Sequence, residues 1–537
     1  MVTDPNPATR KGFLEHYMTS CYSTTGEDLL SNPLRSIGIK KTLNWAPVVS
    51  LIASLNHLNQ FDFITNDDFT ADLTEAFWRY HPNCRLNILG NQKVGPSPLY
   101  PDTTSVSRDS SEFKIDTLQL PGLHTLTTAI SIYYRRSAEH QQLWEKMPFL
   151  FTSPGLKHLC LKPTDGVHEA GVDLLKATWQ SLIDKAKPKA ISQLESVTIP
   201  SNRPEGIMLS KLAAAGDLSQ LRSLDIGCVC EPGKLINVAD LLPNLKRLFL
   251  DLDRRNQGST TIETDIEESI AGILAFRPLE YLYVKGLRDV EALDRIIQRH
   301  GPLLKGLALV PNKVHEYPRL DSSKLFEMMN LCPNIEELRL QIKRSAGNQA
   351  ECEIYKALGT FPHLQRLFLD LDFDARPKVP RMGSSPETDD LSLRRTFINA
   401  AMDEGLALQI WTKIKDKSPN LKDLRIFPYG NVCFAQEERY LINCFARSYR
   451  LIGYNLENPG VPVMEQIGKR AWEIKRARQN NWDESRDESP RDEEIRISSR
   501  IVSVLRSIWP QVLEQTFRSE WWDCWTSLPL QPDTQSW

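Results

Sequence analysis

Apolar positions along the chain return in one frame, P-x-L-x-x-L-x-L, most complete at Pro243-Asn244-Leu245-Lys246-Arg247-Leu248-Phe249-Leu250. The same phrase stands at Pro154/Leu156/Leu159/Leu161, Pro302/Leu304/Leu307/Leu309, Pro333/Ile335/Leu338/Leu340, Pro362/Leu364/Leu367/Leu369 and Pro419/Leu421/Leu424/Ile426. Copies with the proline missing or differently placed lie at Leu34/Ile37/Ile39, Leu58/Phe61/Phe63, Ile115/Leu118/Leu120, Leu194/Val197/Ile199, Leu221/Leu224/Ile226 and Leu279/Leu282/Val284. The L-x-L half alternates as a short strand does when one face is buried. The proline cannot continue a helix and reads as the stop signal of the helix before it.

Between the phrases the period changes to that of a helix. Ile262, Ile266, Ile270 and Ile273 share one face behind Thr260 and Thr261, and Val290, Leu293, Ile296 and Ile297 do so ahead of Gly301, which is expected to cap the helix end. A strand-plus-helix unit returning after about 24 to 40 residues predicts an α/β leucine-rich-repeat solenoid, an irregular horseshoe with parallel strands on its concave face and helices on its convex face. An open doubly wound sheet is the alternative, and the fixed L-x-x-L-x-L frame argues against it.

The expected order is a polar segment over residues 1–32, the solenoid over 33–458 with loops at 90–112 and 374–390, and a helical extension over 459–478. Phe69 to Tyr80, Phe397 to Lys417 and Glu437 to Phe445 read as helices, and Val463 to Arg478 as the extension. A charged linker follows at 479–497, then an amphipathic helix with a Trp-rich tail at 498–537. Its stripe of Ile501, Val504, Leu505, Ile508, Val512 and Leu513 is expected to fold back on the repeats, with partner docking as the alternative.

Because the leucines point inward, the residues beside them are expected on the concave face, where solenoids bind. The residues expected to bind protein are Arg247, Phe249, Tyr281, Tyr283, Arg339, Arg366, Phe368 and Arg425, since aromatic and arginine side chains dominate interface energetics. Gly306, Ala308 and Val310 are small enough to leave a depression among them.

Composition removes other classes. With 65 basic and 68 acidic residues the formal charge is −3, which supports neither nucleic-acid nor membrane attraction. The ten cysteines show no disulfide or zinc-ligand spacing. No phosphate-binding loop, dinucleotide fingerprint, nucleophile elbow or H-E-x-x-H occurs, so no catalytic, cofactor-binding or metal residue is assigned. Asp370-Leu371-Asp372-Phe373-Asp374 begins like a calcium loop but has Ala375 and Arg381 where that loop needs Gly and Glu. The start has no apolar leader core and no run approaches membrane-spanning length, so an intracellular protein of cytoplasm or nucleus is expected.

Tyr80-His81-Pro82-Asn83-Cys84-Arg85-Leu86, the P-N-L-x-x-L-x-L phrase, Phe397-Ile398-Asn399-Ala400-Ala401-Met402-Asp403-Glu404-Gly405-Leu406-Ala407 with Ile410-Trp411, and Gly468-Lys469-Arg470-Ala471-Trp472-Glu473 carry a further signal. They resemble stretches of the fungal F-box and leucine-rich-repeat proteins. The resemblance implies a substrate-recognition module, which in that family is joined by an F-box helix bundle to the adaptor subunit of a cullin ubiquitin ligase. Residues 1–33 contain no L-P-x-E-[IL]-L-x-x-I phrase and few large apolar side chains, so this chain is expected not to hold the adaptor through its N-terminus. The expectation is a non-catalytic module for an unidentified protein partner. The alternative is a regulator of an enzyme such as a small GTPase, with Arg339 or Arg425 directed at the bound active site.

Overall fold

The computed structural model describes residues 45–55, 57–63, 70–88, 120–130, 155–163, 194–198, 218–228, 232–252, 262–311, 317–376, 389–430, 434, 436–453, 461–467, 497–510 and 525–531. They belong to two compact units, divided between Leu279 and Glu280.

In the unit over 35–279 the strands are β1 (Gln60–Phe63), β2 (Arg85–Ile88), β3 (Leu123–Ile130), β4 (His158–Pro163), β5 (Ser196–Thr198), β6 (Ser223–Cys228) and β7 (Arg247–Asp251). Each pairs in parallel with the next in sequence. Four described helices accompany them: α1 (Ala46–Ser54), α2 (Ala71–Tyr80), α3 (Pro232–Ala239) and α4 (Ile262–Ala275). Leu126, Leu159, Val197, Leu224 and Leu248 are all buried, and the pairing registers place them side by side.

The unit from Glu280 onward contains β8 (Tyr281–Lys285), α5 (Val290–His300), β9 (Gly306–Val310), α6 (Ser322–Leu331), β10 (Glu337–Lys343), α7 (Gln349–Leu358), β11 (Arg366–Asp372), α8 (Asp390–Ala400), α9 (Glu404–Lys415) and β12 (Asp423–Tyr429). It ends in α10 (Gln436–Phe445), β13 (Ser448–Ile452), β14 (Val463–Ile467) and α11 (Ser499–Ile508). Strands β8 to β12 are parallel and in sequence order, and β13 and β14 run antiparallel to their neighbours. Helices α5, α6, α7 and α9 pack one against the next. Both units are therefore α/β, built on a mostly parallel sheet.

The repeated phrase has a local cause in each of its parts. Its leucines are buried, with Leu338, Leu340, Leu367, Leu369 and Leu424 fully inside. The asparagine after the proline ties each unit to the one before: Asn244 donates to the Ser219 carbonyl at 2.8 Å, Asn334 to Pro302 at 2.9 Å and Asn420 to Pro362 at 2.9 Å. The helices start where a short polar side chain accepts from the backbone three residues on, as Asp289, Asp321, Asn348, Asp389 and Asp403 do.

Several expectations change. A strand that the leucine copies do not mark lies at Leu123–Ile130, where Pro121-Gly122 makes the turn into it, while Ile115 and Leu118 of the expected copy lie outside the described residues. A Cβ on Gly122 would stand 2.0 Å from the Cys84 carbonyl oxygen, so only glycine allows this approach. Gly301 caps the helix end as expected, its amide donating to the Ile297 carbonyl, but at a φ of −47° it does so in right-handed geometry and starts a short 3-10 turn. The helix expected over Phe397 to Lys417 is two helices, parted at Ala401 to Asp403 by the cap of the second. The helical extension at 459–478 is corrected where it is described: Val463–Ile467 is a strand, whose alternating side chains suit pairing with β13. The Leu34/Ile37/Ile39 copy, the 1–32 segment, the 90–112 loop and most of the 374–390 loop and 479–497 linker lie outside the described residues.

The amphipathic stripe does fold back. Ile501, Val504 and Leu505 of α11 join Leu393 and Phe397 of α8 and Leu441 and Phe445 of α10 in one apolar cluster. Trp509 and Trp525 complete it, while Val512, Leu513, Trp521 and Trp522 lie outside the described residues. Beyond Trp525 the tail is held by Ser527, whose amide and hydroxyl donate to Asp403 at 2.8 and 2.5 Å, and by the Gln531 amide on the Gly347 carbonyl at 2.7 Å. No described helix is long and apolar enough to cross a membrane.

Candidate functional site

Strand alternation puts the residues between the leucines on the opposite sheet face, and the registers line them up in rows. In the unit from Glu280 the first row reads Tyr281, Gly306, Glu337, Arg366 and Asp423. The second reads Tyr283, Ala308, Arg339, Phe368, Arg425 and Arg450. Gln341, Asp370 and Phe427 share a third, and Lys343, Asp372 and Tyr429 a fourth. Six of the eight residues expected to bind protein, Tyr281, Tyr283, Arg339, Arg366, Phe368 and Arg425, thus stand on this one face.

Their exposure separates them. Tyr281 and Arg366 are half-buried, whereas Tyr283 and Phe368 are 1% exposed, Arg339 6% and Arg425 7%. The buried members bind one another. Arg339 grips Asp370 with two hydrogen bonds of 2.8 and 3.0 Å, the geometry in which a guanidinium fork matches a carboxylate. Asp423 accepts from both Arg425, at 3.3 and 3.4 Å, and Arg450, at 2.7 and 3.2 Å. The Arg425 guanidinium also lies 4.8 Å from the centre of the Phe368 ring. Arg366 pairs with Glu337. Burial disfavours the Arg366 charge, but the hydrogen bond and attraction of Glu337 outweigh it, and its pKa is raised.

The fourth row closes the lattice. Asp372 accepts from the Tyr317 hydroxyl at 2.8 Å and pairs with Lys343 at 3.2 Å. Burial first, and then the Asp372 charge, push the Tyr317 phenol well above its ordinary range. The three aspartates of the calcium-like stretch are all engaged by side chains: Asp370 by Arg339, Asp372 by Tyr317 and Lys343, and Asp374 by Arg376. No cluster suited to a metal ion occurs among the described residues.

The eight residues expected to bind leave out Asp370, Asp372, Asp423, Arg450 and Tyr317, which complete the lattice. A signal for Asp370 exists, since it lies one alternation further along the strand next to Arg339. Arg450 had none, because β13 lacks the proline phrase.

The other two residues expected to bind, Arg247 and Phe249, are on β7 in the preceding unit, Arg247 half-buried and Phe249 3% exposed. The same face of that unit is lined by small polar groups, Thr125, His158, Ser196 and Ser223, in register with Arg247. His124 and His158 sit with ring centres 5.0 Å apart. Burial first, then His158, Arg85 and Lys157, hold His124 down at about 4 against the opposing pull of Glu195. His158 is also lowered, chiefly by burial, with Glu195 opposing.

Because both folded-state values lie below the ordinary 6.5, the unfolded chain takes up these protons first as pH falls. The stability that neutral His124 contributes is complete above about pH 6.5 and is lost toward about pH 4, and His158 acts in the same direction. The expected result is a lower denaturation midpoint at about pH 5 than at about pH 7, with the difference reduced in a His124→Gln/His158→Gln variant. An equal pH dependence in the two proteins would show that the pair does not titrate on unfolding.

No family model matches the chain, and a search of curated proteins finds no match.

Proposed function

We propose that the chain is a non-catalytic protein-binding module that recognises its partner with the polar strand face between Tyr281 and Arg450. The observation that carries this reading is the ion-pair lattice on that face. Arg339, Asp370, Asp423, Arg425 and Arg450 are already fixed by one another beneath the accessible side chains, so the surface a partner meets is held in place and need not be ordered on binding. Opposite charges paired between neighbouring strands, as Glu337 with Arg366 and Arg339 with Asp370, suit discrimination between partners more than raw affinity. The buried aromatics Tyr283 and Phe368 act as the floor of this surface, and the half-buried or exposed Tyr281, Lys285 and Lys343 form its accessible part.

A role as the substrate receptor of a ubiquitin ligase is the form this reading takes if the resemblance to F-box proteins extends to function. The enzyme-regulator reading gains less. An arginine inserted into another protein's active site has to leave its present partners, and Arg339 and Arg425 are held by buried carboxylates.

The test is affinity purification from the native cell, with the full chain and a Tyr281→Ala/Lys285→Glu/Lys343→Glu variant as parallel baits. The triple variant gives up the Lys343 pair with buried Asp372, so its melting temperature should fall while it stays folded at the temperature of the purification, and it should lose the specific partner by about tenfold or more, since charge reversal at a complementary surface costs several times the thermal energy. Equal recovery of every protein by both baits would place binding elsewhere. Cullin-ligase subunits in the wild-type sample would favour the receptor form, and a nucleotide-bound GTPase the regulator.

A further inference from the structure

The charges on the strand face from β8 to β13 are sorted by depth. Where an ion pair between strands reaches the surface, the base is its exposed member. The Arg366 side chain is 38% exposed against 3% for Glu337, Lys343 43% against 2% for Asp372, and Arg450 29% against 10% for Asp423. Lys285 is half-buried on β8, and Arg339 and Arg425 lie deeper. The acids that share these rows, Glu337, Asp370, Asp372 and Asp423, are all buried. Glu465 on β14, in register with Arg450, is exposed and marks the far end of the patch.

The outward bases keep donors for a further acceptor. The Lys343 ammonium donates to the Asp372 carboxylate and the Asp374 carbonyl, which leaves one N–H. Arg366 reaches Glu337 through one terminal nitrogen, which leaves the other to a second carboxylate. Lys285, Arg339, Lys343, Arg366, Arg425 and Arg450 also outnumber the acids of the face, so the field above it is positive. The excess is small. A phosphate backbone calls for a run of uncompensated bases, whereas separate side-chain carboxylates match bases that each have an acid beneath them.

From Lys285 to Arg450 the face crosses β8 to β13, about 24 Å at the usual strand spacing, which an extended chain covers with about seven residues. We infer that the partner segment held here is acidic: an extended stretch of about that length whose Asp or Glu carboxylates share Lys343, Arg366 and Arg450 with the buried acids below. This rests on the protein-binding reading above and names the chemistry of the partner.

The probe is a fluorescein-labelled peptide of about eight residues, alternating glutamate and serine, with its glutamine and serine counterpart as the neutral control. Full-length protein at about 0.1 M salt should raise the anisotropy of the acidic probe saturably, bind the neutral one about tenfold or more weakly, and lose most of its affinity at about 0.5 M salt. Lys285→Gln/Lys343→Gln removes outward charge while Asp372 keeps the Tyr317 hydroxyl, and circular dichroism checks that it folds. It should weaken the acidic probe about tenfold or more. Lys413→Gln/Lys417→Gln removes the same charge at the C-terminal end of α9 and should bind as wild type does.

Equal affinity for the two peptides, equal loss in the two variants, or no saturable binding overturns the inference. So does tighter binding of a thymidine oligonucleotide of the same length that the face variant abolishes, which would assign the surface to a phosphate chain. The two readings fail separately. If capture of the native partner is unchanged at about 0.5 M salt while the Tyr281/Lys285/Lys343 variant loses it, the strand face stands and its acidic segment falls. If the acidic probe binds as expected and that variant captures the partner normally, the preference for acid stands and the protein-binding reading falls.

Discussion

Replacing Glu351 by alanine is expected to destabilise the unit from Glu280 by about 3–5 kcal/mol, the loss seen when one member of a buried ion pair is removed. Arg344 follows β10 directly, and its side chain is wholly buried, as is that of Glu351, with Nε 3.3 Å from the carboxylate. The same carboxylate accepts from the Ser345 amide at 2.7 Å, the Gly347 amide at 2.9 Å and the Tyr355 hydroxyl at 2.8 Å. That turn also holds Ala346 at a φ of +57°, a left-handed conformation that a residue with a Cβ adopts only when its surroundings enforce it. Alanine at 351 therefore leaves a guanidinium buried without its counter-charge and releases the turn that carries the tail through Gly347. Denaturant titration checks the size of the loss. A change below about 1 kcal/mol would mean that water or a rearranged carboxylate reaches Arg344, and that the pair is not a structural keystone.

The second large effect is expected at Phe445. Its ring is 1% exposed and meets Phe397 edge-on at 5.7 Å, Trp525 edge-on at 5.2 Å and Trp509 at 5.0 Å. Phe445→Ala removes a ring that touches all three, and the expected cost is about 3–5 kcal/mol. The loss should not be spread evenly. α11 and the Trp525 segment join the unit through this cluster, so hydrogen exchange across Ser499–Ile508 should rise well before that of β10 and β11. Protection lost uniformly through the unit would show instead that the terminal helix is part of one cooperative core.

These two sites also mark the boundary of what the sequence makes legible. The buried leucines repeat at fixed spacing, and that spacing alone locates β4 to β12 to within a few residues, because parallel strands paired in sequence order ask for the same buried side chain at each matching position. The helix caps at Asp289, Asp321 and Asp403 are legible too, since capping is a local bond. Glu351 is not. It is a charged residue in the first turn of a helix, which ordinarily faces solvent, and only the turn at Ala346-Gly347 brings Arg344 beneath it. The strand face is legible in position and not in exposure. Register shows that Tyr283, Phe368 and Arg425 share a row, but the burial of Arg339 and Arg425 goes with carboxylates, Asp370 on the next strand and Asp423 on the same one, that the row does not mark. Val463–Ile467 fails for a different reason: five residues between polar stretches have no proline phrase, and strand pairing there depends on a partner that the frame does not mark.

The reversal of direction at β13 bears on how many units the chain can hold. A parallel strand presents the next copy with the edge it received from the last, so a duplicated segment spliced between Pro362 and Pro419 would find matching hydrogen-bond patterns on both sides. Asp423 to Ile426 instead pair antiparallel with Tyr449 to Ile452, and Ser448 to Ile452 again with Val463 to Ile467. A copy appended after Ile452 would find that edge already taken by Val463 to Ile467 and could not continue the series. Tandem duplication can lengthen this protein from within, but not from that end.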